Sequence, residues 1–131
     1  MREAGMREAG MREAGMREAG TMNEGNQNYT LVPDLAALAE APAESIVSRT
    51  IYKDARLKAV LFAFAAGQEL SEHTASTAAI IHILQGEARL KLGADDVDAS
   101  AGAWIHMPPQ LPHSLYARTP VLMLLLLLPQ S

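Results

Sequence analysis

From Ile46 onward the chain reads as short apolar runs separated by glycine and proline. IVSRTIY in the 45–52 region, LKAVLFAFAA (57–66) and AAIIHIL (78–84) are apolar or β-branched stretches of strand length. EARLKLG (87–93), DVDA (96–99), AWIHM (103–107), HSLYA (113–117) and VLMLLLLL (121–128) follow. Gly67, Gly86, Gly93, Gly102, the Pro108-Pro109 pair, Pro112 and Pro120 punctuate them. Short strands at such regular spacing predict an all-β sandwich or barrel. In EARLKL, Ala88 and Leu90 alternate with Arg89 and Lys91, so this strand should have one wet face. Val121–Leu128 lacks alternation and is expected to be buried on both faces. Before the strands, Asp34 is a suitable N-cap for a short helix through LAALAEA, ending near Ala41-Pro42.

The first 20 residues are four copies of MREAG. In a helix, five residues advance about 500°, so successive methionines wind around the axis and build no apolar stripe. Glu3–Arg7, Glu8–Arg12 and Glu13–Arg17 have the favourable i,i+4 order. Each such pair is worth only about 0.2–0.5 kcal/mol, against about 0.8–1 kcal/mol lost at each interior glycine. Residues 1–20 are therefore expected to be a disordered tail or a solvated helix. Residues 21–44 read as a polar linker and the short helix, and residues 45–131 as the barrel.

Charge and composition narrow the function. The net charge is −4, and the repeats contribute nothing to it because each carries one Arg and one Glu. An acidic domain without a Lys/Arg cluster lacks the footprint of a nucleic-acid binder. There is no cysteine, which removes disulfides, thiolate metal sites and a cysteine nucleophile and is compatible with a reducing compartment. The longest apolar run spans eight residues, against roughly 20 for a membrane helix. No apolar block follows the N-terminal arginines, so a secretory signal is not expected. The expectation is a cytoplasmic protein that engages neither nucleic acid nor membrane.

All four histidines, His73, His82, His106 and His113, fall within 41 residues and on or beside apolar runs. Imidazole is the commonest neutral metal ligand, so a divalent transition metal (Fe, Mn, Ni, Cu or Zn) is the leading expectation for a cofactor. Gly67-Gln68-Glu69-Leu70-Ser71-Glu72-His73, with Gly86 beyond it, resembles the first motif of the cupin superfamily, G-x5-H-x-H-x3/4-E-x6-G. The stretch from Gly102 to His113 resembles the second, G-x5-P-x-G-x2-H-x3-N. The resemblance covers about 47–129, and GQELSEHTA with WIHMPPQLPHSL is similar to small single-domain bacterial cupins of the RmlC-like type. It implies one cupin jelly-roll barrel (a double-stranded β-helix) with a small aliphatic pocket, and pairing as a homodimer.

Residue by residue, the resemblance carries over His73 and His113 as metal ligands. Ala75 stands at the motif's second histidine and Ala79 at its glutamate; Gln110 replaces a glycine and Ala117 the terminal asparagine. Stable metal sites usually have three or four protein ligands, so His106 and His82 become candidates to complete the set. For His82 there is a parity conflict: it lies three residues from Ala79, and an unbroken strand puts the two on opposite faces. Glu69 and Glu72 flank His73 as possible orienting carboxylates. Three readings follow: a metal-dependent oxygenase or isomerase acting on a small molecule, a non-catalytic ligand-binding or sensor cupin with a degenerate metal site, and a structural protein. Whether the protein is an enzyme stays open at this level, because function resides in the site and not in the fold.

Overall fold

Alternating side chains between residues 46 and 128 sort this chain into two sheets with a shared apolar interior. The computed structural model describes residues 6–8 and 28–129. The strands are β1 (Met6–Glu8), β2 (Ile46–Lys53), β3 (Lys58–Phe64), β4 (Glu69–His73), β5 (Ala78–Gln85), β6 (Glu87–Leu92), β7 (Asp95–Ser100), β8 (Trp104–Met107), β9 (His113–Ala117) and β10 (Val121–Leu128). One sheet runs β1-β2-β3-β10-β5-β8 and the other β4-β9-β6-β7. This is an all-β fold, as the spacing of the runs predicts, in the jelly-roll form that the resemblance implies.

The core lies between the sheets. Val60, Phe62 and Phe64 of β3, Ile81 and Ile83 of β5, Leu90 of β6, Leu115 of β9 and Met123 of β10 all point into it and are buried. Each fully buried side chain of this size stabilises the fold by about 1.5–3 kcal/mol. Period two decides membership: on β6, Ala88 and Leu90 are buried while Arg89 and Lys91 are exposed. Gly86 joins β5 to β6 at φ +91°, and a Cβ there would run into the Pro120 carbonyl oxygen. Only glycine fits that approach.

Strand β10 lies in the middle of the larger sheet, antiparallel to both β3 and β5. Its outer face is less covered than the leucine run predicts. Leu122 packs with Leu61 and Ala63 under Leu35 and Leu38, but Leu124–Leu128 are only half-buried. The inward members, Leu125 and Leu127, meet the core; Leu124, Leu126 and Leu128 face the outer side, beyond the reach of the covering segment.

That segment also differs from expectation. Asp34 caps as predicted, its Oδ1 accepting from Ala36 N at 3.1 Å. The helix is, however, a single 3-10 turn, Leu35–Leu38, with Ala39 already extended. A stretch this short gains too few backbone bonds to offset nucleation, so packing of its leucines decides its shape. Arg49, 5% exposed, reaches it from β2, donating from Nη1 to the Leu38 carbonyl at 2.7 Å. Of the tail, Met6–Glu8 is extended and parallel to β2, with Met6 opposite Ile46; the rest of the expectation for residues 1–20 lies outside the described residues. No helix among the described residues is long and apolar enough to cross a membrane.

Candidate functional site

His73 ends β4 and His113 begins β9, and the two are direct cross-strand partners. Leu70 pairs with Leu115, so Ser71 and Glu72 stand against Ser114 alone, and the register shifts. Leu70 and His73 are three residues apart and would otherwise face opposite ways. The extra residue turns His73 back to the inner face, as a β-bulge does. His113 needs no such device, since it shares parity with the buried Leu115 and Ala117.

The two rings lie with centroids 4.3 Å apart and planes tilted by 57°. His73 Nδ1 is 2.6 Å from the Ser71 carbonyl oxygen, and His113 Nδ1 is 2.8 Å from that of Leu111. A carbonyl oxygen can only accept, so each Nδ1 carries a proton, and in the neutral form of either ring the lone pair is on Nε2. Backbone carbonyls commonly fix metal-binding and ligand-binding histidines in this way. Burial pushes the His113 imidazole below its ordinary value; the Leu111 carbonyl opposes this in part, and the charge of His73 adds to the lowering.

Both imidazoles line a cavity of about 90 Å³ inside the barrel. Its other walls are almost wholly apolar: Phe62, Leu70, Ile81, Leu115, Met123 and Leu125, with Ser114 at the edge. Met123 brings a thioether into this lining and is 2% exposed. Within the sequence it is one more apolar residue in a leucine run; parity with Val121 and Leu125 is the signal that places it inward. A larger depression near Tyr29, Tyr52 and Asp54 is open to solvent and gathers no histidine.

The other two histidine candidates are not brought to this cavity. On β5, Ala79, Ile81 and Ile83 face the core, so His82 points to the outer side. The one shift between β5 and β10 falls beyond His82, at Leu122/Met123, and does not reorient it. On β8, Met107 is buried inward while Trp104 and His106 are exposed. His82 lies opposite Trp104 and Ile80 opposite His106 on that outer face. Glu69 and Glu72 do not line the cavity either. Among the described residues no three of His, Cys, Asp and Glu come together as a metal-binding group.

Gln110 keeps the backbone shape of the glycine that the second motif has there, with φ +69°. Its amide donates to the Ala75 carbonyl at 2.7 Å, tying the loop before His113 to the segment after His73.

Two sheets closed around an apolar interior, with paired imidazoles on one inner wall, define a small β-barrel of the double-stranded β-helix class. The chain belongs to the cupin domain family, whose model matches residues 60–127. Its structure is similar to that of a cupin superfamily protein from Desulfitobacterium hafniense, at 27% identity and TM-score 0.71, covering 79% of this chain and 94% of that one. A conserved Streptococcus pyogenes protein of unknown function is 28% identical, with TM-score 0.70, over 82% of this chain and 95% of that one. An RmlC-like cupin from Desulfovibrio desulfuricans is 29% identical, with TM-score 0.59, over 63% of this chain and 81% of its own. No curated protein matches the chain.

Cupin barrels often hold transition metals on histidines and a carboxylate, and the residues here do not fit that group. Ala79 is buried and inward-facing where the motif's glutamate would stand, and the cavity lining offers two imidazoles and no carboxylate. A divalent ion on two neutral ligands in an apolar pocket would keep its full charge, which burial penalises heavily.

Proposed function

We propose that this protein is a non-catalytic ligand-binding cupin, with His73 and His113 as the attachment point for a small ligand inside the barrel. One observation carries the reading: two adjacent imidazoles, each fixed through Nδ1 by a backbone carbonyl, line one largely apolar cavity. Preorganised Nε2 atoms are acceptors for an N–H or O–H group, or donors to a cation. The oxygenase or isomerase reading on a divalent metal is the weaker one, because it needs further ligands that His82 and His106, on the outer face, do not supply.

A homodimer is supported by that same outer face. Half-buried Ile80, His82, Leu124 and Leu126 and exposed His106 and Trp104 share the outer face of β5, β8 and β10; no Asp, Glu, Lys or Arg is among them, and Trp104 is 60% exposed. Exposed apolar surfaces of this kind mark association sites. A cytoplasmic setting is supported by the cysteine-free sequence.

A thermal-shift screen of small acids, sugars and metal ions on wild type, His73→Ala and His113→Ala tests the binding reading. Stabilisation of the wild type alone is expected. Stabilisation that survives both substitutions, or none with any compound, would remove the site.

A further inference from the structure

The cavity has a polar side and a hydrocarbon side. His73 and His113 come from β4 and β9 of the smaller sheet, with Ser114 at the edge. The larger sheet contributes Phe62, Ile81, Met123 and Leu125 from β3, β10 and β5. Ring centroids only 4.3 Å apart keep both Nε2 acceptors on the polar side. Charge selects among occupants. No Asp, Glu, Lys or Arg is among the described residues of the lining, so a buried ion would lack a partner of opposite sign. A carboxylate would also meet a nitrogen lone pair on each neutral ring. Hydrogen bonding selects further. A sugar needs partners around its whole rim, and the hydrocarbon side would leave hydroxyls unpaired. An ether or a hydrocarbon would instead leave both Nε2 acceptors unpaired. Size sets the body: about 90 Å³ is the share of roughly three liquid waters, and is less than the roughly 150 Å³ of a cavity that holds benzene.

We propose that the cavity takes a small uncharged alcohol, its hydroxyl donating to Nε2 of His73 or His113 and its short hydrocarbon body lying against Phe62, Ile81, Met123 and Leu125. The inference rests on the binding reading of the His73–His113 pair and names its ligand class. Ala79 fits the same selection: a carboxylate at that buried, inward position would favour cations, and a methyl group does not. The Ser71 and Leu111 carbonyls hold both rings in place before a ligand arrives, so little ordering is left for binding to supply.

The test is an NMR titration of the full chain at pH 7.5, above the ordinary imidazole value of about 6.5. Four probes of matched size are compared: 2-methylpropan-1-ol, its donor-free isomer 2-methoxypropane, isobutyrate and isobutylammonium. The ring nitrogens of His73 and His113 and the methyl groups of Ile81 and Leu125 report occupancy. The alcohol should shift all four residues and bind the wild type about tenfold or more tighter than each of the other probes. His73→Leu combined with His113→Leu keeps the cavity apolar and should bring the alcohol and the ether to within about twofold of each other. The comparison within the wild type decides even where the double variant fails to fold. Tighter binding of either ion overturns the uncharged class, and equal binding of the ether overturns the hydroxyl assignment. If none of the four probes shifts the rings while a sugar, another acid or a metal ion does, the alcohol class falls and the binding reading stands. If no compound shifts them, both fall.

Discussion

His73 and His113 each hold a backbone carbonyl two residues upstream, that of Ser71 in one case and of Leu111 in the other. The two rings are thus held by the same local geometry on neighbouring strands. For His113, burial disfavours the charged form, so the folded state binds a proton less readily than the unfolded chain does. Over the interval below about pH 6.5 the unfolded state then carries more protons, and each drop in pH favours it. Stability of the metal-free protein should be fully present above about pH 6.5 and decline as pH falls through the lower folded value. Chemical denaturation between pH 7.5 and pH 5 checks this; an equal loss of stability in His113→Gln would place the dependence elsewhere.

Gln110 should be improvable. A non-glycine residue in the left-handed region costs about 1–2 kcal/mol, and glycine's extra backbone entropy costs about 0.5–1 kcal/mol. With φ at +69°, Gln110→Gly is expected to stabilise by about 0.5–1 kcal/mol, raising the melting temperature by about 3–5 °C. A lower melting temperature would mean that the side chain itself stabilises the loop.

Gly86 is the opposite case. Its positive φ and the Pro120 carbonyl that faces it leave no room for a methyl group. Gly86→Ala should destabilise by about 2 kcal/mol or more. The denaturation midpoint reads this directly, and a loss below about 0.5 kcal/mol would show that the β5–β6 turn relaxes freely.

Ala75→His with Ala79→Glu restores the two ligands missing from the first motif. The double variant should retain Zn(II) or Ni(II) through gel filtration, in contrast to the wild type. Without metal it should melt lower, because a buried carboxylate is then unpaired. Elemental analysis of the eluted protein decides the matter; no retained metal would show that His73 and His113 are not placed as ligands of such a set.

The exposed sheet face offers a separate test. Trp104→Glu puts a carboxylate on the edge strand of this surface, at the end of the row that runs through His82 and Leu124 across the sheet. Sedimentation equilibrium should show the wild type as a dimer and the variant as a monomer. Identical masses for both would move the interface elsewhere or abolish it.

Strand β5 was legible in the sequence because a continuous apolar run has few other homes, and the parity of Ala79 against His82 was legible with it. Strand β4 was not. ELSEH has no β-branched run, and the bulge that aims His73 inward depends on pairing with β9, a strand some 40 residues further along. The facing of His106 depends likewise on the register with β5, which local pattern does not contain. The leucines of β10 misled for a different reason. Hydrophobicity records that a residue tolerates burial, whereas the coverage of Leu124 and Leu126 depends on how far the segment around Leu35 and Leu38 extends across the sheet.

The central place of β10 has a consequence for how the protein is made. It is the last strand of the barrel to leave the ribosome, yet it joins β3 to β5. Until Val121–Leu128 arrives, β3 and β5 each present an unpaired edge, and Phe62 and Ile81 lack the strand that packs between them. The nascent chain must therefore wait in an incomplete state, exposed to edge-to-edge association, and close in one late step. A premature stop before residue 121 would release two half-sheets without the strand that unites them.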